Sequence, residues 1–186
     1  MDDTGTRERR SSMRGLKIPS NFSLIDEQQP HVESPDRLSI LIIGNIAAGK
    51  STFATEFSKL NKLDILELDS LRDCEPTDTI SNQMAEDSFL CSIGKPSLVC
   101  TYVGMGLGKK GRIANQRANL IIRIHAAERT CLERIKHRNT PPPLNRDVDI
   151  DLLHYISETL DKRGFSRENM SWSNIPLIHI STESRL

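Results

Sequence analysis

The chain lacks the features that would commit it to a membrane or to nucleic acid. Aromatic residues make up only 4% of its 186 residues. No apolar run approaches the length of about 18 residues that a transmembrane helix needs. Positive and negative charges balance, with 25 Lys and Arg against 25 Asp and Glu. Because there is no basic surplus, we expect neither nucleic acid nor an anionic membrane as the main partner.

Cysteine is scarce and scattered as well. The four cysteines form no C-x-x-C pair, and the five histidines show no spacing that is typical of metal ligands. This distribution favours reduced cysteines in or near a core rather than disulfides or a structural metal. The N-terminal residues are charged and lack the apolar segment of a secretory signal. We therefore expect a cytoplasmic protein.

Two parts of the chain differ in composition. Residues 1–36 are rich in charge, Ser and Pro and show no periodicity, which predicts a mostly disordered tail. Within it, the apolar stretch LKIPSNFSLI (16–25) would pack on the body or on a partner. Over residues 37–186, short apolar runs alternate with helical patterns. This alternation predicts a single α/β domain built on a parallel sheet.

The most specific motif follows the first apolar run, LSILII. Residues 44–51, GNIAAGKS, match the pattern G-x-x-x-x-G-K-[ST] between a predicted strand and a predicted helix. The glycines let the backbone approach a phosphate, the loop N–H groups form an anion nest, and the helix dipole adds positive potential. We predict that a nucleoside triphosphate is bound by Gly44, Asn45, Ile46, Ala47, Ala48, Gly49, Lys50, Ser51 and Thr52.

Three side chains of this motif have separate predicted roles. Lys50 would reach the β- and γ-phosphates, and Ser51 would offer its hydroxyl to Mg²⁺. Thr52 would lie near the α-phosphate.

Polar residues after the second and third predicted strands indicate the substrate side. Parallel strands end at one edge of the sheet, where ligands bind. Asp69 would there accept a proton from a substrate hydroxyl or hold Mg²⁺, unless it only caps a helix. Arg72 would clamp an anionic group, and Thr101 and Tyr102 reach the same edge. No acidic residue ends the third strand, so the usual Walker B carboxylate is missing.

Arginines after the fourth predicted strand are candidates for phosphate contacts. Arg134 and Arg138 are four residues apart and share a helix face, and Arg146 follows a proline-rich loop. A transferring phosphoryl group needs cations around its oxygens and exclusion of water, which an arginine-bearing lid supplies. We assign Arg138 to catalysis and Arg134 to nucleotide binding. The alternative is a charged helix that faces solvent.

Two further loops carry weaker signals. The glycine-rich stretch with Lys109, Lys110 and Arg112 is predicted as a flexible basic loop that either contacts phosphate or faces solvent. Ser181 and Thr182, after the last strand, are candidates for contacts near the nucleotide base.

With these motifs placed, residues 38–184 resemble the small P-loop kinases, which include nucleoside monophosphate, shikimate and gluconate kinases. The resemblance rests on GNIAAGKST, LELDSLRD and IRIHAAERTCLERIKHRN. It implies a five-stranded parallel sheet of order 2-3-1-4-5 with helices on both faces. It also implies an acceptor-binding segment over 70–95 and a lid over about 138–148. The shortness of both favours either a small acceptor or a divergent, inactive member of the family.

These observations predict ATP- and Mg²⁺-dependent phosphoryl transfer to a small hydroxyl- or phosphate-bearing acceptor, such as a nucleoside, nucleotide or sugar-like metabolite. The alternative is a nucleotide-binding regulatory module or slow NTPase that acts through a protein partner, which the missing Walker B acid favours. A GTPase is disfavoured, because the guanine-reading pattern N-K-x-D occurs only as NKLD (61–64), which precedes the second predicted strand and so lies at the edge of the sheet opposite the ligand-binding one. The acceptor, the choice between ATP and GTP, and a homo-oligomeric state stay open.

Overall fold

The computed structural model describes residues 16–25, 37–72, 79–138 and 147–183. Its strands are β1 (Ser23–Leu24), β2 (Ser39–Gly44), β3 (Asp64–Glu67), β4 (Leu98–Thr101), β5 (Leu120–His125), β6 (Ser171–Trp172) and β7 (Ile175–Ser181). Its helices are α1 (Lys50–Asn61), α2 (Leu68–Leu71), α3 (Thr79–Ser92), α4 (Gly108–Asn115), α5 (Glu128–Lys136) and α6 (Ile150–Leu160). A π-helical turn over Asp161–Phe165 follows α6.

Five parallel strands form the centre of the sheet, in the order β3-β4-β2-β5-β7. The α/β class and the parallel centre agree with the sequence prediction. The prediction of a five-stranded sheet is wrong, because β1 and β6 each pair antiparallel with β7 and the sheet has seven strands. The complete seven-strand order therefore differs from 2-3-1-4-5, whereas the five parallel strands, numbered among themselves along the chain, stand in that order. The two added strands contain two residues each, too few to give a periodic pattern.

The core lies along the two central strands. All six residues of β2 and all six of β5 are buried, as expected for apolar runs that are covered on both faces. Arg123 in β5 is buried too, and its guanidinium donates to the Asp161 carboxylate and to the Phe165 carbonyl. Pairing of this kind keeps the charge from being left without a partner in the core.

Helix α1 joins the phosphate motif to this core. It begins at Lys50, directly after the loop, and buries Phe53 and Phe57. Their rings stack with centroids 5.3 Å apart. The helix that follows the loop is thus held by aromatic packing, which fixes the position of its N-terminus.

Part of the predicted tail lies on the domain. Residues 16–25 place Leu16, Ile18, Phe22 and Leu24 against the core, and β1 lies within this segment. The remainder of the predicted tail, residues 1–15 and 26–36, lies outside the described residues. So do residues 139–146, which include Arg146 and most of the predicted lid.

The stretch before β5 is more helical than predicted. Helix α4 begins at Gly108, so Lys109, Lys110 and Arg112 lie on a helix and not on a flexible loop. Lys110 Nζ lies 3.4 Å from Asp87 Oδ1 on α3. Among the described residues, no helix is long and apolar enough to cross a bilayer.

Candidate nucleotide site

The ends of the parallel strands meet at one edge, as the sequence predicts. In the strand register, Thr101 lies opposite both Ile42 and Glu67, and Gly44 lies opposite Ile124. A cleft of about 720 Å³, its open mouth included, lies at this edge. It is lined by Ile46, Ala47, Gly49, Lys50, Ser51, Thr52, Glu67, Asp69, Arg72, Thr101, Val103 and Arg138. The structure thus brings most of the predicted site residues into one cleft.

Two glycines permit the path of the loop. Gly44 has φ 155°, and a Cβ there would come within 2.6 Å of the Ile124 carbonyl oxygen. Gly49 caps α1 with φ 101°, a conformation that L residues rarely adopt. Gly44 does not line the cleft, and its contribution is the close approach of β2 to β5.

Asn45 secures the loop to the fold and does not line the cleft. Its Nδ2 donates to the Leu153 carbonyl at 2.7 Å and to Ser157 Oγ at 2.8 Å, both on α6. Its Oδ1 accepts from Ile46 N–H at 2.8 Å. The buried Ala48 also lies outside the cleft lining. Their side chains support the loop conformation, and the nucleotide contact assigned to these two residues stays a prediction that concerns their backbone N–H groups.

Arg134 braces the loop from α5. Its Nη1 donates to the carbonyl oxygens of Ala47 and Ala48 at 3.2 and 3.1 Å and to Thr182 Oγ1 at 3.1 Å. The Thr182 hydroxyl in turn donates to the Ala48 carbonyl at 3.0 Å. The cleft at the sheet edge described above is called the phosphate cleft from here on. The Arg134 guanidinium does not line it and borders a neighbouring cleft instead. Sequence reasoning missed the bracing because it links residues that are far apart in the chain.

Lys50 is half-buried at the floor of the cleft. Its Nζ donates to the Asn45 carbonyl at 2.7 Å, so the ammonium lies back against the loop. Burial lowers the pKa of Lys50 to about 8, although the Asp69 and Glu67 carboxylates oppose this shift. The nearby Arg138 charge lowers the pKa further. An anion in the cleft would stabilise the protonated amine.

Glu67 is a site residue that the sequence analysis missed. It ends β3 and lines the cleft. Its Oε1 is buried, with no hydrogen-bond partner among the described residues. A buried carboxylate oxygen without a partner is costly, so this oxygen is a candidate ligand atom. The available signal was an acidic residue directly at the end of a predicted strand, two positions before the aspartate that was chosen.

Asp69 and Arg72 both line the cleft, but Asp69 is exposed whereas Arg72 is paired with carboxylates. Asp69 lies in the first turn of α2 and its side chain is 57% exposed. Arg72 Nη2 lies 2.5 Å from Glu86 Oε1 on α3, and its Nη1 lies 3.9 Å from Asp69 Oδ1. The Arg72 charge is therefore balanced by two carboxylates, which weakens it as a clamp for an anion.

Thr101 and Tyr102 are both predicted to bind substrate, but of the two only Thr101 lines the cleft. Thr101 is buried and lines the cleft. Tyr102 turns into the core, donates to Asn115 Oδ1 at 2.7 Å and packs on Phe89 with ring centroids 5.4 Å apart. Burial raises the pKa of Tyr102 to about 12. Tyr102 is not brought to the cleft, because side chains alternate between the two faces along a strand.

Three further cleft residues, Ser51, Thr52 and Arg138, are exposed. Ser51 and Thr52 lie in the first turn of α1 with exposed side chains. Arg138 follows α5, and its guanidinium has neither a hydrogen bond nor an ion pair within the described part of the chain. A free arginine opposite a lysine and a hydroxyl provides the charge and the donors that a polyphosphate needs.

Similar architectures occur among solved kinases. A gluconokinase from Sinorhizobium meliloti 1021 superposes with a TM-score of 0.54 at 16% identity, over 82% of this chain and 86% of its own. A shikimate kinase from Acinetobacter baumannii, in complex with shikimate, gives 0.55 at 16% identity over 69% and 78%. A deoxyadenosine kinase from M. mycoides gives 0.51 at 16% over 78% and 90%.

No protein-family model and no curated protein sequence matches the chain. The similarity at 16% identity is one of fold. The predicted resemblance to the small P-loop kinases is confirmed at that level.

Proposed function

We propose that this chain is an ATP- and Mg²⁺-dependent kinase of a small hydroxyl- or phosphate-bearing acceptor. The observation that carries the proposal is the cleft in which Lys50 faces the carboxylates of Glu67 and Asp69, with Arg138 at its border. The similar folds named above belong to kinases of a sugar acid, of shikimate and of a deoxynucleoside. They support phosphoryl transfer to a small molecule as the reaction class.

The residues of the loop fit a triphosphate and its metal. Lys50 and the N-terminus of α1 would receive the β- and γ-phosphates. Ser51 Oγ and the unpartnered Glu67 Oε1 would hold Mg²⁺, with Asp69 as a further candidate ligand. When bound, Mg²⁺ would offset the negative charge of the phosphate oxygens.

The acceptor would bind on the α2 side of the cleft. Asp69 is exposed there and would orient an acceptor hydroxyl and take its proton as the oxygen attacks the γ-phosphorus in line, while the bond from the γ-phosphorus to the bridging oxygen breaks and ADP leaves. Arg72 and Thr101 would position the rest of the acceptor. Arg138, at the start of the predicted lid of residues 138–148, would neutralise charge on the phosphoryl group as it moves.

The test is a transfer assay with an unbiased pool of acceptors. The full chain is incubated with Mg·ATP and a pooled metabolite extract, and mass spectrometry detects compounds that gain a phosphate. We expect at least one such product with the unmodified chain and none with Lys50→Ala. The matched control is Lys59→Ala, which removes an exposed lysine from the last turn of the same helix.

A second function, that of a nucleotide-binding switch, is favoured by two features. No carboxylate ends β4, and residues 16–25 border the nucleotide side of the loop. A nucleotide-binding switch that signals through its N-terminal segment would have both features. Such a switch would bind ATP tightly, form no phosphorylated acceptor in the assay above, and change its affinity for a partner with nucleotide state.

A further inference from the structure

A second cleft adjoins the phosphate site on the side of the N-terminal segment. It shares Ala47, Gly49, Thr52 and Arg138 with the phosphate cleft. Its remaining lining residues are Asn21, Phe22, Arg134 and Thr182. We name residues 16–25 the strap, because they run along α1 and join β7. The strap thus reaches the nucleotide side of the phosphate loop.

The strap is held by contacts at both of its ends. The Lys17 backbone N–H donates to Asn61 Oδ1 at 2.7 Å, and its carbonyl accepts from Asn61 Nδ2 at 2.9 Å. At the other end, β1 pairs with Ile180 and Ser181 of β7. Between these anchors, Phe22 N–H donates to the Pro19 carbonyl at 3.1 Å and closes a turn. The turn therefore has a defined place beside the loop.

The turn presents two side chains that are suited to a nucleoside. Phe22 is half-buried and meets Phe53 edge-on, with ring centroids 5.0 Å apart and an interplanar angle of 84°. An aromatic ring in a cleft provides a surface on which a base stacks. Asn21 carries both a donor and an acceptor, and its Nδ2 lies 3.4 Å from Glu56 Oε1.

The position of the cleft indicates which part of a nucleotide it would take. The phosphate loop would hold the β- and γ-phosphates at Lys50, and Thr52 follows in the direction of the α-phosphate. The nucleoside must lie beyond the α-phosphate, and the second cleft begins at Thr52. The guanidinium groups of Arg134 and Arg138 also border this cleft, and guanidinium planes stack on bases.

We propose that the strap forms one wall of the nucleoside half of the site, with Phe22 as a stacking surface for the base and Asn21 as a hydrogen-bonding group. This inference rests on the proposed function, because it needs a triphosphate on the loop. It assigns nucleoside recognition to a segment that precedes the P-loop domain in the chain. The strap acts on binding and takes no part in the transfer step.

The test separates the nucleoside from the phosphates. Calorimetry measures the affinity of the full chain for Mg·ATP and for Mg·tripolyphosphate, which lacks the nucleoside. We expect Phe22→Ala to weaken ATP binding about tenfold or more, as loss of a stacking ring does. Tripolyphosphate binding should stay within about twofold of the unmodified chain. Asn21→Ala should show the same selectivity with a smaller effect.

Two variants test the anchoring and the packing. Asn61→Ala removes the contacts to the Lys17 backbone from outside the cleft, so it should weaken ATP binding and spare tripolyphosphate. Phe22→Leu keeps an apolar side chain against Phe53 and loses the aromatic face, so it should resemble Phe22→Ala. The matched control is Ser20→Ala, an exposed position in the same turn that does not line the cleft.

Three results would overturn the inference. Equal weakening of ATP and tripolyphosphate in Phe22→Leu would mean that Phe22 only supports α1. Unchanged ATP affinity in Phe22→Ala would place the base elsewhere, and tighter ATP binding would mean that the strap obstructs the site. None of these three results affects the proposed function, because in each case the unmodified chain still binds ATP through Lys50. Failure of that chain to bind ATP would refute the proposed function itself.

Discussion

The phosphate loop and the end of β3 line the same cleft but are held in contrasting ways. The loop is fixed from within the fold, since Asn45 bonds to α6 and Arg134 bonds to two loop carbonyls. At the end of β3, Glu67 has a buried oxygen without a partner in the described part of the chain. Asp69 beside it is 57% exposed, and within the described residues its only ion pair is the 3.9 Å contact with Arg72.

This contrast has an energetic meaning. A loop whose shape is fixed before binding loses little freedom when phosphates arrive, so its N–H groups act as a preorganised cradle. A buried polar atom left without a partner costs roughly 1–3 kcal/mol, which the fold carries in the absence of a ligand. Under the proposed function, the phosphate side of the cleft is therefore shaped by the fold before binding, whereas the carboxylate side is completed by what binds there.

The largest effect is expected from the carboxylates. Asp69→Asn should lower phosphoryl transfer by about 10²-fold or more, the usual contribution of a general base. Nucleotide affinity should change far less, because Asp69 would act on the acceptor. Steady-state kinetics beside ATP calorimetry measure the two quantities. Full activity in Asp69→Asn would show that the assignment of the base is wrong.

Glu67→Gln is the paired variant that tests the contrast directly. The amide removes the charge of a half-buried side chain whose Oε1 has no partner among the described residues, so we expect the ligand-free chain to melt at a higher temperature. We also expect transfer to fall and the Mg²⁺ concentration at half-maximal rate to rise. A lower melting temperature with unchanged Mg²⁺ dependence would mean that Glu67 serves the fold and not the site.

A smaller effect should separate two arginines on the opposite side. Arg138→Ala removes a guanidinium that is free in the described structure, so transfer should fall about tenfold or more with little change in melting temperature. Arg134→Ala breaks the bracing of the loop, so the free energy of unfolding should fall by roughly 1–3 kcal/mol. Kinetics measure the transfer rate of both variants, and thermal unfolding measures their stability. Equal loss of stability in both would remove the distinction.

The sequence was informative where function depends on consecutive residues. The loop of residues 44–51 could be located because its glycines, lysine and hydroxyl act through one stretch of backbone. The parallel centre followed from the alternation of elements. The choice between Glu67 and Asp69 depended on where β3 ends, and a shift of two residues there changes which carboxylate lies at the sheet edge.

The sequence was uninformative where a role depends on distant partners. Arg134 bonds to loop carbonyls 86 and 87 positions away, so its structural role has no local pattern. Tyr102 was predicted at the site because it falls at the carboxyl edge of the third predicted strand, but its hydroxyl donates to Asn115 within the core. The strap gave only a weak apolar signal, since its strand has two residues and its anchors lie on α1 and β7.

The smallest effect is expected from a change of pH, which tests the contrast between the phosphate loop and the end of β3 without altering the chain. Lys50 has a pKa of about 8 in the ligand-free protein. Phosphates favour its charged form, so its pKa must be higher in the complex. Below pH 8 the amine is already protonated and binding takes up no proton there. Above pH 8 binding must take one up, so the Kd for Mg·ATP should rise, by at most about tenfold per pH unit.

Lys50→Arg is the control for this pH dependence, because arginine keeps its charge throughout the range. Its Kd for Mg·ATP should be higher than that of the unmodified chain near pH 7.5 and should stay level between about pH 7.5 and 9.5. Calorimetry over that range measures both chains. A level Kd in the unmodified chain would mean that Lys50 is not the cation that meets the phosphates. A rise in Kd that both chains share would assign the titration to another group. The pH dependence would then not support the view that the fixed loop is the preorganised half of the site.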